Sequence, residues 1–178
     1  MTIETLATKG FNRTYTTLAG IDTARLRSMR NVALRECFKR MEDTPYRMQF
    51  VATVRGREYY NDAASRNVSS TWYTMENMDG GLVWITCGTA EEVDYSRLLP
   101  IALRKVRMIL VLGDATNIKR HFAPVVSQIA ECPSMADALK KAYFYDSNDI
   151  KVLFSPATSS VATSESLGEL FRFEVNEL

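Results

Sequence analysis

Side chains that could bind a ligand or take part in chemistry are concentrated in three short segments, namely residues 61–67, 87–94 and 155–164. The first contains Asp62 and Asn67, the second is rich in acid, and the third contains Ser155, Ser159 and Ser160. Carboxylates can hold Mg²⁺ or a cationic substrate, and amides and hydroxyls can hydrogen-bond a polar ligand. Acidic loops are more commonly solvated than ligand-binding, so both interpretations of the second segment stay open.

Neither acyl transfer nor phosphoryl transfer is supported by a complete motif. The serines lie outside any G-x-S-x-G sequence, and His121 is the only histidine that could act as their base. A P-loop needs G-x-x-x-x-G-K-[ST] and a dinucleotide site needs G-x-G-x-x-G, and the sequence contains neither. We therefore predict no catalytic residue in this chain and no cofactor for the chain alone.

The composition is that of a globular protein without a strong net charge. The 178 residues are 46% hydrophobic and 24% charged, and 22 basic against 21 acidic residues give a net charge of +1. Because no field of one sign results, neither a nucleic acid nor a membrane is indicated as a partner. Three widely spaced cysteines, Cys37, Cys87 and Cys132, fit no metal-binding pattern. With no apolar leader, the sequence predicts a cytoplasmic protein with reduced thiols and no metal site.

The hydrophobic pattern changes at Thr44 and Pro45. Residues 1–43 are expected to form a loose tail and a pair of helices, since their apolar positions recur at helical spacing. Proline ends the second helix, because it pushes the preceding residue out of the α region. From residue 48 the pattern alternates with a period of two, and Arg55-Gly56 predicts a β-hairpin turn. We predict one α/β domain over residues 44–178.

Short apolar strands and helices alternate through the rest of the chain. Buried strands are predicted at residues 82–86, 108–112 and 150–154, and a weaker strand at 125–129. This order is typical of a Rossmann-like α/β fold, an open and mainly parallel sheet with helices on both faces. In such sheets ligands bind beyond the carboxyl ends of the strands. The three chemistry-bearing segments follow predicted strands and are expected at that edge.

Several segments together resemble one family of enzymes. Residues 57–67, REYYNDAASRN, are similar to the hairpin and D-S-K-A-T-N loop of MurD-type ligases, which join UDP-N-acetylmuramoylalanine to D-glutamate. Residues 153–160, LFSPATSS, resemble the family's L-L-S-P-A-x-A-S run, and residues 168–171 its closing R-G-x-x-F helix. Residues 45–51 resemble P-H-R-x-E-x-V. In the order of these motifs, the chain resembles the C-terminal domain of such a ligase. The resemblance implies that residues 1–43 are a remnant of the central domain.

The resemblance implies binding roles for five residues. Asp62 would touch the nucleotide ribose, with Asn67 at the end of the same motif, and Ser155, Ser159 and Ser160 would face the incoming amino acid. ATP and Mg²⁺ are expected to bind only where a P-loop-containing domain completes the site.

Two positions depart from the family pattern in charge. Ala64 stands where the motif has a lysine, and Glu91 stands where a lysine meets the D-glutamate carboxylate. An anion in place of a cation repels a carboxylate, so the sequence predicts a degenerate site.

Three functions are compatible with these observations. The first is a non-catalytic MurD-like domain that binds a ligand or a protein. The second is one half of an ATP-dependent amino-acid ligase that works in trans with a separate P-loop protein. The third is a self-associating scaffold, whose contact surface would be the one that faces other domains in the longer ligases.

Overall fold

The computed structural model describes residues 46–89, 92–146, 149–158 and 164–178. The tail and helical pair predicted over residues 1–43 lie outside this part, so the domain boundary stays a prediction. The described residues fold as an α/β sheet with helices on both faces.

Six strands in the described part of the chain form one sheet in the order β1-β2-β6-β3-β4-β5. Only the β1–β2 pair is antiparallel, and every other neighbouring pair is parallel. The open, mainly parallel, Rossmann-like sheet expected from the sequence is therefore confirmed, together with its N-terminal hairpin. The strands are β1 Gln49–Val54, β2 Arg57–Asn61, β3 Gly81–Cys87, β4 Val106–Leu112, β5 Ile129–Cys132 and β6 Ile150–Phe154.

Two helices, α2 (Leu99–Lys105) and α4 (Met135–Tyr143), begin at residues that favour a helix N-terminus. Pro100 lies in the first turn of α2, where a missing N–H costs no helical hydrogen bond. Ser134 caps α4, because its Oγ accepts the Asp137 N–H at 3.1 Å. The helices of the described part are α1 Val68–Asn77, α2 Leu99–Lys105, α3 Thr116–Phe122, α4 Met135–Tyr143 and α5 Ser164–Asn176.

Two hydrophobic layers sandwich the sheet. On β3, which is buried along its whole length, Leu82 and Trp84 belong to one apolar cluster, whereas Val83 and Ile85 belong to the other. Helices α1, α2 and α3 contribute to the first cluster, and α4 and α5 contribute to the second. A strand covered on both faces is apolar at every position, and this explains the uninterrupted hydrophobic run of β3.

The hairpin turn forms where the sequence predicts it. Arg55 and Gly56 have φ values of 50° and 76°, so both central residues adopt the left-handed conformation of a type I′ turn. Strand β1 carries an irregularity between Phe50 and Ala52. Met48, at the start of the predicted alternation, has a φ of 45° and precedes the strand.

The weak strand predicted at residues 125–129 is wrong by several residues, because β5 begins at Ile129. The N–H groups of Val125 and Val126 both donate to the carbonyl of Phe122, at 2.9 and 2.8 Å. These two valines therefore cap the C-terminal end of α3, and their N–H groups are not available to pair with β4. Their β-branched side chains favoured a strand, but the local hydrogen bonds set a different backbone.

Candidate functional site

The carboxyl ends of the parallel strands bring the three chemistry-bearing segments to one edge of the sheet. Asp62 N–H donates to Phe154 O at 2.8 Å, and Ala157 N–H donates to Ser65 O at 3.1 Å. These bonds join the loop after β2 to the loop after β6. On the neighbouring strands, Gly88 N–H donates to Leu112 O at 2.8 Å. Because β6 pairs in parallel with β2 on one side and with β3 on the other, the starts of all three segments lie at the same edge of the sheet.

Asp62 lies inside this edge and is fully buried. Its Oδ1 accepts the Met48 N–H at 3.1 Å. Burial is the main influence on the carboxyl and raises its pKa to about 6, against the weaker lowering effects of the Ser65 and Thr74 hydroxyls, the Met48 N–H and Arg47. The two hydroxyls face the carboxyl without reaching hydrogen-bonding geometry with Oδ2. In this conformation the carboxyl is an internal group.

Asn67 is exposed and begins helix α1. Its side-chain oxygen accepts the Ser70 N–H at 2.8 Å, which satisfies one of the unpaired donors at the helix start. The Asn67 carbonyl accepts the Thr71 N–H at 3.1 Å. The residue therefore has a complete structural role as an N-cap, and its exposed side leaves it reachable by a ligand.

Ser155 is also fully buried, directly after β6. Its hydroxyl lies 2.8 Å from the Thr71 hydroxyl, and its carbonyl accepts the indole N–H of Trp84 at 2.9 Å. The Ser155 N–H donates to Ile85 O at 3.0 Å. Ser159 and Ser160, the other two serines predicted to contact an amino acid, lie outside the described residues.

The segment after β3 contains one buried thiol and several carboxyls. Cys87 is 3% exposed, and burial raises its pKa to about 12, so the thiol stays protonated at neutral pH. Asp94 accepts the Ser96 N–H at 2.9 Å, which holds its pKa below the usual value. Glu92 lies 3.5 Å from Arg120 in an exposed pair, and Glu91 is outside the described residues. No cluster of three metal-ligating acids, cysteines or histidines occurs in the described part of the chain.

Curated relatives match nearly the whole chain. Over 179 residues it is 34% identical to a UDP-N-acetylmuramoylalanine–D-glutamate ligase of Porphyromonas gingivalis, covering 98% of this chain and 40% of that protein. A ligase of the same name from Salinibacter ruber is 32% identical over 177 residues, covering 97% of this chain and 38% of that protein. This chain is a MurD-like, Mur ligase C-terminal-like domain. No family model matches it.

A solved structure independently supports the fold of the MurD-like domain. A murein peptide ligase from Psychrobacter arcticus 273-4 aligns with a TM-score of 0.52 and 10% identity, over 75% of this chain and 30% of that one. At such low identity the alignment supports the α/β fold alone. The MurD-like chain spans about 40% of the length of the curated relatives. Every helix in its described part is too short or too polar to cross a membrane.

Three residues that organise the edge of the MurD-like domain were not singled out from the sequence. Asn61 is fully buried, and its side chain donates to Gly168 O at 3.0 Å and accepts the Ala63 N–H at 3.2 Å. Thr86 donates to Pro156 O at 2.9 Å. A Cβ on Gly168 would lie 2.8 Å from the Ala63 side chain, so glycine allows α5 to approach the loop. The sequence signal that could have identified Asn61 and Gly168 is their position within the family-like motifs.

Proposed function

We propose that this MurD-like domain is a non-catalytic component of Mur-type amide ligation, which binds a ligand or a protein at the carboxyl edge of its sheet. The observation that carries the proposal is the 34% identity to a UDP-N-acetylmuramoylalanine–D-glutamate ligase across 98% of a chain that contains no phosphate-binding motif. Phosphoryl transfer requires donors that cradle the phosphate oxygens. We therefore expect no ATP turnover by these 178 residues alone.

The buried positions of two family-like residues limit how a ligand would bind. Asp62 has one oxygen occupied by the Met48 N–H, and Ser155 has its hydroxyl against Thr71. A ribose contact by Asp62 would require the loop at residues 62–67 to open. In the proposed mode, the first contacts come from exposed groups such as Asn67, and from the hydroxyls of Ser159 and Ser160, which follow β6 in the sequence.

The charge pattern argues against strong binding of D-glutamate. Ala64 supplies no positive charge where the family motif has a lysine, and Glu91 supplies a negative one. A carboxylate ligand binds most tightly when a cation pairs with it in good geometry, and a like charge nearby weakens its binding. We propose that the amino-acid side of the site has lost its preference for an acidic ligand.

A ligase half that acts in trans is the alternative. The extent of the match favours a role in ligation, because 98% of the chain aligns with a named ligase at 34% identity. In that case a separate P-loop-containing protein would supply ATP and Mg²⁺ binding, and this domain would supply the surface that closes over the nucleotide.

Calorimetry and phosphate release test the two proposals on the full chain. Titration with Mg²⁺-ATP and with D-glutamate is expected to give at most weak binding. The chain incubated with UDP-N-acetylmuramoylalanine, D-glutamate and ATP is expected to release no phosphate above background. Stoichiometric phosphate together with amide product from the chain alone would overturn the non-catalytic proposal. Product that appears only after a P-loop protein is added would support the alternative.

A charge-restoring variant tests the explanation for lost D-glutamate binding. Ala64→Lys combined with Glu91→Lys returns lysines to both family positions and is expected to raise D-glutamate affinity at least tenfold. The matched control is Ala64→Lys combined with Glu92→Lys, which makes the same change in net charge beside the key position. Equal affinities for the two double variants would mean that net charge, and not position 91, controls binding.

A further inference from the structure

The segment that leads into the described domain has a strained backbone. We define residues 46–48, immediately before β1, as the leading segment. Tyr46 and Met48 have φ values of 61° and 45°, in the left-handed region that non-glycine residues rarely adopt. Because such residues are unfavourable in this conformation, contacts elsewhere in the fold must hold them there.

Two hydrogen bonds in opposite directions tie the leading segment to residues 62–67, the β2–α1 loop. The Met48 N–H donates to Asp62 Oδ1 at 3.1 Å, and the Ala64 N–H donates to Tyr46 O at 3.1 Å. A third bond runs from the Tyr46 hydroxyl to Glu169 on α5 at 3.2 Å, at an exposed position. The first two bonds join the same two short segments and form one closed connection.

Asp62 occupies the centre of this connection. The residue is fully buried, and its own N–H is fixed to Phe154 O at 2.8 Å. Its carboxyl is faced by Arg47 from the leading segment, by Ser65 from the β2–α1 loop and by Thr74 from α1. The buried Oδ2 and the buried Nε and Nη1 of Arg47 have no hydrogen-bond partner within the described residues. Three elements therefore meet at one carboxyl, and its Oδ2 makes no hydrogen bond within the described residues.

We propose that Asp62 is a positioning residue that couples the backbone of the leading segment to the conformation of the β2–α1 loop. If the loop moves, the acceptor for Met48 and the donor from Ala64 move with it, and the left-handed residues lose the contacts that stabilise them. The backbone conformation of residues 46–48 then changes with the state of the loop. A ligand that prefers one loop conformation would bias that backbone conformation. This last consequence rests on the proposed binding function, whereas the coupling itself does not.

Amide hydrogen exchange on the full chain without ligand tests the coupling. In Asp62→Ala, the amides of Met48 and Ala64 are both expected to exchange at least tenfold faster, while Ile85 and Leu110 in the central strands keep their rates. Asp62→Asn retains an oxygen acceptor and is expected to keep both amides slow. Faster exchange at Met48 with no change at Ala64 would overturn the proposal, because it would reveal a local bond without coupling.

Two further measurements make the result independent of whether Asp62→Ala folds. Tyr46→Phe keeps the aromatic ring and removes the hydroxyl that bonds to Glu169, and it is expected to leave both amides within threefold of the wild-type rates. In the wild-type chain, Met48 and Ala64 are expected to open as one unit, with equal protection and equal denaturant dependence. A difference of more than tenfold in protection would refute the coupling. Because no ligand is present, a chain that binds neither ATP nor D-glutamate can still pass or fail this test.

Discussion

The hydroxyl groups of Thr71 and Ser155 lie 2.8 Å apart in the interior, joining helix α1 to the end of β6. Both residues are fully buried, and the carbonyl of Ser155 also accepts the Trp84 indole N–H. The serine that resembles an amino-acid contact in ligases is thus part of an internal hydrogen-bond network here. A buried hydroxyl is costly when its partner is removed, so the pair is open to direct measurement.

Removing both hydroxyls of this pair is expected to destabilise the fold by less than the sum of the two single removals. Ser155→Ala and Thr71→Val each leave a buried hydroxyl without a partner, and each should lower the free energy of unfolding by about 1–3 kcal/mol. The double variant should cost less than the sum, with a coupling of about 1 kcal/mol. Urea unfolding of the four proteins measures the cycle.

The control for this cycle is Ser69→Ala on the same helix. Ser69 is exposed, and its hydroxyl accepts from Arg97 at 3.1 Å. Its loss should change the free energy of unfolding by no more than about 0.5 kcal/mol. Strict additivity of the Thr71 and Ser155 variants would contradict the hydrogen bond.

The arrangement of strands was predictable because it depends on residue types along the chain. A buried apolar run such as β3, or a glycine beside an arginine at the hairpin turn, carries its own local preference. The burial of Asp62 was not predictable in the same way. Its sequence context resembles a ligand-binding loop, but its exposure depends on Met48 and Thr74, which reach it from other elements. Chemical type was therefore visible from the sequence, whereas accessibility was decided by tertiary contacts.

The left-handed residues of the leading segment were unpredictable for a related reason. Gly56 adopts a positive φ at little cost, so a turn signal exists in the sequence. Tyr46 and Met48 have no such preference, and their conformation is imposed by contacts with Asp62 and Ala64. Local propensity could not have indicated them.

Asp62 is expected to make the stability of the wild-type domain decrease as pH rises from about 4 to above 6. Its pKa is raised from 3.8 to about 6, so the folded state binds its proton more tightly than the unfolded state does. The stabilisation from protonated Asp62 is complete below about pH 4 and is lost as pH rises through the folded pKa. The full shift corresponds to about 3 kcal/mol.

Comparison with Asp62→Asn isolates this contribution from other carboxyls. Several exposed acids, including Asp94 and Asp114, have lowered pKa values and act in the opposite direction, losing stability as pH falls. The stability of Asp62→Asn relative to wild type should therefore increase by about 2–3 kcal/mol between pH 4 and pH 7.5. A pH-independent difference, measured by urea unfolding across this range, would show that burial does not raise the Asp62 pKa.

Lys105 is expected to stabilise the end of helix α1. Its Nζ donates to the carbonyls of Met75, Glu76 and Met78 at 2.9, 3.0 and 2.6 Å. Carbonyls at a helix C-terminus have no helical partner and carry partial negative charge, so a lysine there is favourable. Because the site is partly exposed, Lys105→Met should cost about 1–2 kcal/mol in the free energy of unfolding.

The adjacent Arg104 provides the control for Lys105. Its guanidinium forms an exposed ion pair with Glu76 at 2.9 Å. Such pairs contribute little, so Arg104→Met should lower the free energy of unfolding by less than about 1 kcal/mol, and by less than Lys105→Met does. Equal losses for the two variants would indicate a general effect of removing positive charge.

Gly88 is expected to be the glycine least tolerant of substitution at the carboxyl edge. A Cβ at this position would lie 2.1 Å from the Asp114 carbonyl oxygen and 2.7 Å from the Asp114 nitrogen. Backbone atoms cannot rotate away as a side chain can, and the Gly88 N–H is held by Leu112 O at 2.8 Å. Gly88→Ala must therefore separate the loops that follow β3 and β4, and it should cost about 3 kcal/mol or more.

Gly113 distinguishes this steric effect from a loss of backbone freedom. It has a φ of 88°, but nothing lies within 4 Å of the position that a Cβ would take, so Gly113→Ala should cost only the conformational penalty of about 1–2 kcal/mol. Thermal and urea unfolding of both variants should rank Gly88→Ala as clearly the more destabilised. If Gly113→Ala were equally damaging, close approach of the two loops would not be the constraint at Gly88, and the rigidity of this edge would have to come from conformation alone.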